Sequence, residues 1–364
     1  MIADLAGRLG LAPEVLEGWD LGVEPGEAEW VQSGLAARQA WELRDYAGAA
    51  SCAEAAAQAA LAAGRQGIWW TMAYMRAECL MKQGQLAECR RIVQQLLEHR
   101  IVTESAGLAV RARQMLAAVC HGLGLLSTAV EHAREAVRLG ARLPAGATVY
   151  IGALRALIAA LAESGRLEEA WDHCRTLGPL VDEETTRQLC GEAEWVIGNV
   201  AFLRGDHQEG LGHHERAREL LSPTADIELW APFNKATAAV RLTAGILGPE
   251  TLAAVERAEL ALSIVGGPRR EHLEVALIRA RWLHLTGQAA EAADRLKTIH
   301  AERSLLGRHT AGEVALLYGR ALKALGRNDE AVELLDTALA DFSATGLPHR
   351  IGAAAETTPT VAGD

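Results

Sequence analysis

The one histidine cluster in this chain is His207, His213 and His214. On a helix, His207 and His214 stand seven residues apart and share a face. A metal centre needs further ligands and a supporting layer of hydrogen bonds. Histidines exposed at repeat turns are commonplace and account for the cluster better, so no metal is expected. The carboxylate pairs Glu168–Glu169 and Glu183–Glu184 fall in turns or loops and read as solvated charge. No G-x-S-x-G elbow, phosphate-binding loop, H-E-x-x-H helix or dinucleotide fingerprint occurs. No catalytic residue and no cofactor are therefore expected, and the chain reads as a binding protein rather than an enzyme.

Composition narrows the binding class. The 364 residues are rich in helix formers, with ten prolines and 4% aromatics. Net charge is −11, which argues against a nucleic-acid surface across the chain, because phosphate contacts need clustered Lys and Arg. Six cysteines (Cys52, Cys79, Cys89, Cys120, Cys174, Cys190) form no CxxC pair and match no zinc spacing. Reduced, buried thiols and a cytoplasmic location are expected. No signal peptide is apparent, and the most apolar stretch, Thr148 to Ala162, contains Arg155 and is too short to span a bilayer.

Seven glycines set out the elements that would position a binding surface. Gly84, Gly124, Gly165, Gly205, Gly245, Gly287 and Gly326 are spaced 39 to 42 residues apart, and the preceding rung falls on Arg44. Such a period marks an array of supersecondary units. Seven residues before the rungs stand Ala37, Ala77, Ala117, Ile158, Gly198, Ala238, Ala280 and Gly319; five after stand Ala49, Cys89, Ala129, Ala170, Gly210, Ala292 and Ala331. Small residues at both places suit two helices crossing closely on either side of a turn. The sixth unit breaks the pattern. There Ile246, Leu247 and Gly248 read as a three-residue insertion, with Ala253 in the small-residue place. Trp69, Trp171, Trp230 and Trp282 sit at other offsets and are expected in packing between units.

These small-residue positions, with phrases such as GRLEEA and GRNDEA, resemble the tetratricopeptide repeat. The resemblance implies an all-α, right-handed superhelix (an α-solenoid) of about eight helix–turn–helix units across residues 27–352. The unit is longer than the usual 34 residues, and the family's early tryptophan and trailing proline are mostly absent. In such arrays the first helix of each unit, helix A, lines the concave wall. By that resemblance the groove-facing positions lie ten, six and three residues before each glycine. They include Trp41, Tyr74, Glu78, Gln114, Arg155, Trp195, Asn199, Phe202, Lys235, Arg281, His284 and Arg320, with Leu242 and Leu316 among the apolar ones. Asn199 would offer donor and acceptor to one peptide unit. Arg155, Arg281 and Arg320 would fork onto a carboxylate, a chain terminus or an acidic side chain. Trp41, Tyr74, Trp195 and Phe202 would supply apolar pockets. A competing expectation is that some of the arginines pair with Glu78, Glu192, Glu274 or Glu313 across neighbouring helices.

Residues 1–26 stand outside the period. The text LAGRLGLAPEVLEGW looks like the last helices of a bacterial helix-turn-helix domain of the XRE type; a helical cap on the array accounts for it as well. A disordered tail is expected over 353–364. Together these features resemble the peptide-pheromone receptors of Gram-positive bacteria, the RRNPP regulators. The resemblance implies the ligand-sensing part of a transcriptional regulator holding a peptide or protein segment in its groove. It implies no direct nucleic-acid binding by this chain alone, no membrane, and a possible homodimer. The alternatives are a non-switching scaffold that holds a protein tail, or an array that regulates a partner enzyme.

Overall fold

The computed structural model describes residues 27–143, 148–181 and 185–345. The expected N-terminal segment (1–26) and tail (353–364) lie outside the described residues. Seventeen α-helices, two short 3₁₀ turns and no strand occur among the described residues. The chain divides into two compact units between Thr185 and Thr186.

The first unit holds four hairpins. They are α1 (Glu27–Glu42) with α2 (Tyr46–Ala62), α3 (Gln66–Lys82) with α4 (Leu86–Glu98), α6 (Ala106–Gly122) with α7 (Leu126–Gly140), and α8 (Thr148–Glu163) with α9 (Leu167–Leu177). A single-turn helix, α5 (Arg100–Glu104), joins the second hairpin to the third. The second unit holds four more: α10 (Arg187–Arg204) with α11 (His207–Leu220), α12 (Ile227–Thr243) with α13 (Pro249–Val265), α14 (Arg269–Leu285) with α15 (Ala289–Ala301), and α16 (Arg308–Ala324) with α17 (Asn328–Thr345). In each hairpin the first member is helix A. The eight units read from the glycine period are all present.

The turns explain the period. All seven glycines adopt a left-handed backbone, with φ between 72° and 87°. The amide after each glycine reaches back five residues, as Gln85 N does to Leu80 O at 2.9 Å, which satisfies a carbonyl left open at the helix end. The missing rung behaves the same way. Arg44 takes φ 59°, and Asp45 N bonds Ala40 O at 2.9 Å. Asp45 then caps α2 by accepting from Gly48 N at 2.9 Å. The count missed one such turn, at Gly64 between α2 and α3 (φ 72°).

The small residues on both sides of the turns are buried throughout. A Cβ at Gly319 would meet the Ala331 carbonyl at 3.1 Å, so the two backbones there approach too closely for a larger residue. The sixth hairpin differs from the sequence reading. Its turn runs from residue 244 to 248, five residues where the other hairpins have two or three. Thr251 is wholly buried in the small-residue place, while Ala253 is only partly buried. The register therefore shifts by one residue, and the other extra residue of the turn is absorbed by a later start of α13. Trp282 packs in the core of the second unit, and Trp69 and Trp230 pack at cluster edges. All six cysteines are free, four of them buried. No helix among the described residues is long and apolar enough to cross a membrane.

Candidate ligand-binding groove

In the first unit the groove candidates mostly engage other residues rather than one another. Tyr74 is buried, stacked on Trp70 with ring centroids 5.0 Å apart, and Arg111 of α6 lies 4.4 Å over its ring. Burial, reinforced by Glu78, pushes the Tyr74 hydroxyl up to about 12. Burial also raises the Glu78 carboxyl, against the pull of Arg111. Tyr74 is thus core rather than an open pocket, because its place on α3 faces the neighbouring helix. Trp41 is half-buried and meets Tyr46 edge-on across the turn at 5.2 Å. Gln114 donates from Nε2 to Val149 O at 2.9 Å, tying α6 to the start of α8. Arg155 is half-buried on α8. His121 and Glu163 pair between α6 and α8, and that hydrogen bond raises the histidine's pKa.

In the second unit α10, α12, α14 and α16 lie side by side. Trp195 meets Phe233 edge-on at 5.7 Å. Phe202 is buried in the crossing of its own hairpin, filling the space Gly210 leaves; a Cβ on that glycine would lie 2.6 Å from the ring. It is core, not a ligand pocket. His214 is 1% exposed and donates from Nε2 to Asn199 Oδ1 at 3.1 Å. The carboxamide oxygen expected to receive a ligand N–H is engaged within the hairpin, and the amide NH₂ is what Asn199 has left to offer.

Arg281 follows the competing expectation, and Lys235 pairs in the same way. Lys235 Nζ reaches Glu274 Oε2 at 2.9 Å, and Arg281 Nη2 reaches Glu313 Oε2 at 3.2 Å. Both carboxylates stand thirteen residues before their own turn glycine, on the next A helix. That offset is a second periodic signal, which the groove positions alone did not expose. Arg281 also approaches Thr243 Oγ1 at 3.4 Å, so it touches both neighbouring A helices.

Arg281, His284 and Arg320 share one cavity with Thr243, Glu313 and a leucine lining. Leu242 and Leu316 of that lining stand at groove positions in the sequence, whereas Thr243, Leu285 and Leu317 lie between them. Burial, then the nearby Arg320, lowers the pKa of His284.

The histidine cluster does not converge. His213 pairs with Glu194 at 2.6 Å, His214 turns to Asn199, and His207 lies against the Phe202 ring at 5.9 Å. No group of three or more His, Cys, Asp or Glu among the described residues could hold a metal ion.

The fold is that of a tetratricopeptide array. Among solved structures the chain is similar to the apo form of the quorum sensor NprR from B. thuringiensis, with TM-score 0.63, 15% identity, and 90% of this chain and 92% of that one covered. It is similar to a Rap protein complexed with Competence and Sporulation Factor, with TM-score 0.63, 12% identity, and coverage of 98% and 94%. A third is aspartyl phosphate phosphatase F from Bacillus subtilis, with TM-score 0.54, 10% identity, and coverage of 79% and 75%. Identities this low speak to fold alone. No protein-family model matches the chain, and no curated protein matches its sequence.

Proposed function

We propose that the chain is a peptide-binding array, the ligand-sensing part of a bacterial transcriptional regulator that works in the cytoplasm. The observation that carries this reading is the cavity where Arg281, His284 and Arg320 meet on adjacent A helices. Arginine and apolar surface in one concave place is the composition of recognition sites. The two most similar folds described above belong to a quorum sensor and to a Rap protein complexed with a factor, which supports a peptide as ligand. The net charge of −11 favours no direct nucleic-acid binding by this chain.

Selection of a random heptapeptide library on the purified chain tests the reading. Enriched peptides should compete with one another for one site. Arg281→Ala should weaken them more than tenfold, about 1.4 kcal/mol. A library that yields no competing peptide overturns the proposal. Small-angle scattering with saturating peptide then separates two roles. A sensor changes its radius of gyration, because its ligand prefers one arrangement of hairpins; a scaffold keeps it.

A further inference from the structure

The cavity that gathers Arg281, His284 and Arg320 has a volume of about 230 Å³ and is lined by residues of α12, α14 and α16. Pockets for drug-sized ligands run from about 300 to 1,000 Å³. This one has room for one residue rather than a stretch of chain. Leu242, Leu316 and Leu317 give it an apolar side. Its charge is uneven: Arg281 and Arg320 stand against a single lining carboxylate, Glu313.

Two details indicate what would complete it. The Nδ1 of His284 is buried without a hydrogen-bond partner. A buried polar atom left in that condition destabilises the site, and an arriving ligand oxygen would relieve it. Glu313 is held between Arg281 at 3.2 Å and His309 at 3.7 Å, and its side chain is 16% exposed. It occupies the guanidinium that a ligand anion would approach, so it acts as an internal competitor.

We infer that this cavity is a subsite for a carboxylate carried beside an apolar side chain. The inference rests on the peptide-binding reading and names the part of the peptide that enters here. The carboxylate meets Arg281 and Arg320 with charge-assisted hydrogen bonds, the strong kind. The neighbouring side chain lies on the leucines. An acidic side chain and a chain terminus present the same group, and the choice between them is open to measurement.

Three probes titrated calorimetrically into the full chain decide the matter: acetyl-Leu-Leu with a free carboxylate, its carboxamide, and acetyl-Leu-Glu-amide. At least one acid should bind ten or more times tighter than the carboxamide. Whichever acid binds better identifies the source as terminus or side chain. Arg320→Ala should lower that affinity about tenfold. Glu313→Gln should raise it at least threefold, the opposite of what general damage to the fold would do. Equal binding of acid and amide overturns the inference, as does a loss of acid affinity in Glu313→Gln with an unchanged thermal melt. Failure of all three probes also overturns it. Library-selected peptides that bind independently of Arg281 and Arg320 would overturn this subsite while leaving peptide binding itself standing; an empty library would sink both.

Discussion

The imidazole of His214, buried on α11, donates from Nε2 to the Oδ1 of Asn199 on α10 at 3.1 Å. That bond fixes which end of the carboxamide faces away from the hairpin. Asn199 then presents an amide NH₂ and serves a ligand acceptor, such as a peptide carbonyl, rather than a ligand N–H. Asn199→Asp retains an acceptor for His214 but has no donor left. It should keep the thermal melt within a few degrees and weaken a selected peptide about tenfold. Unchanged peptide affinity in Asn199→Asp would remove Asn199 from the groove.

The same histidine sets a pH dependence of stability. Burial first, then the charges of Arg241 and His213, hold His214 at about 3 against its ordinary 6.5; Glu215 opposes them. The folded form therefore stays neutral where the unfolded chain takes up a proton. Its contribution to stability is complete above the unfolded value and declines as pH falls from 6.5 towards about 3. Between pH 7 and 5 this one group should cost the fold about 2 kcal/mol. His214→Gln keeps a donor near Asn199 and cannot be protonated, so its urea midpoint should fall less over that interval. Equal pH slopes in the two proteins would assign the effect elsewhere.

Arg44 supplies a test of the turns. Its φ of 59° is a conformation that costs a side-chain-bearing residue about 1–2 kcal/mol and glycine little. The unfolded chain gains entropy from a glycine, which offsets part of that. Arg44→Gly should raise stability by up to about 1 kcal/mol, and Arg44→Val should lower it. Denaturant midpoints read both, and a stabilising valine would contradict the turn geometry.

Why the fold was legible and the groove only partly so follows from these residues. A left-handed turn demands glycine, or tolerates few others, so its period is written in the sequence. Ala37, Ala49 and their equivalents are restricted by backbone approach and are written just as plainly. Positions on the A helices carry no such restriction. Tyr74 and Phe202 occupy groove offsets, yet they turn into contacts set by Arg111 and Gly210, residues distant in sequence or on the other helix. Ion pairs such as Lys235–Glu274 needed two offsets read together, ten and thirteen residues before successive glycines. In the sixth hairpin, burial chose Thr251 over Ala253 because the turn length changed the register.

The thiols divide into two sets. Cys79, Cys89, Cys120 and Cys174 are buried, and Cys52 and Cys190 are half-buried. Burial, followed by the charge of Glu78, pushes Cys89 up to about 12 and Cys79 up to about 11, so neither forms thiolate at neutral pH. A disulfide-exchange reagent should titrate no more than two cysteines rapidly in the native protein and all six in denaturant. Fast reaction at Cys89, located by mass spectrometry, would show that the second hairpin opens far more readily than its packing implies.

Two glycines inside helices should respond in opposite directions to the same substitution. A Cβ at Gly198 on α10 would overlap the His214 imidazole and come within 3.1 Å of the His213 Cβ. His214 is held by Asn199 and His213 by Glu194, so neither ring retreats without giving up a hydrogen bond. Gly198→Ala should therefore cost about 1–3 kcal/mol, as overpacking does, and should weaken peptide binding through the displaced Asn199. Gly67, near the start of α3, has nothing within 4 Å of its would-be Cβ. There the methyl group meets no neighbour, and the lower backbone entropy of alanine in the unfolded chain dominates. Gly67→Ala should raise stability by about 0.5–1 kcal/mol. Urea unfolding of both variants measures the contrast. A Gly198→Ala protein as stable as the parent would mean that the α10–α11 crossing is looser than the His214–Asn199 bond requires.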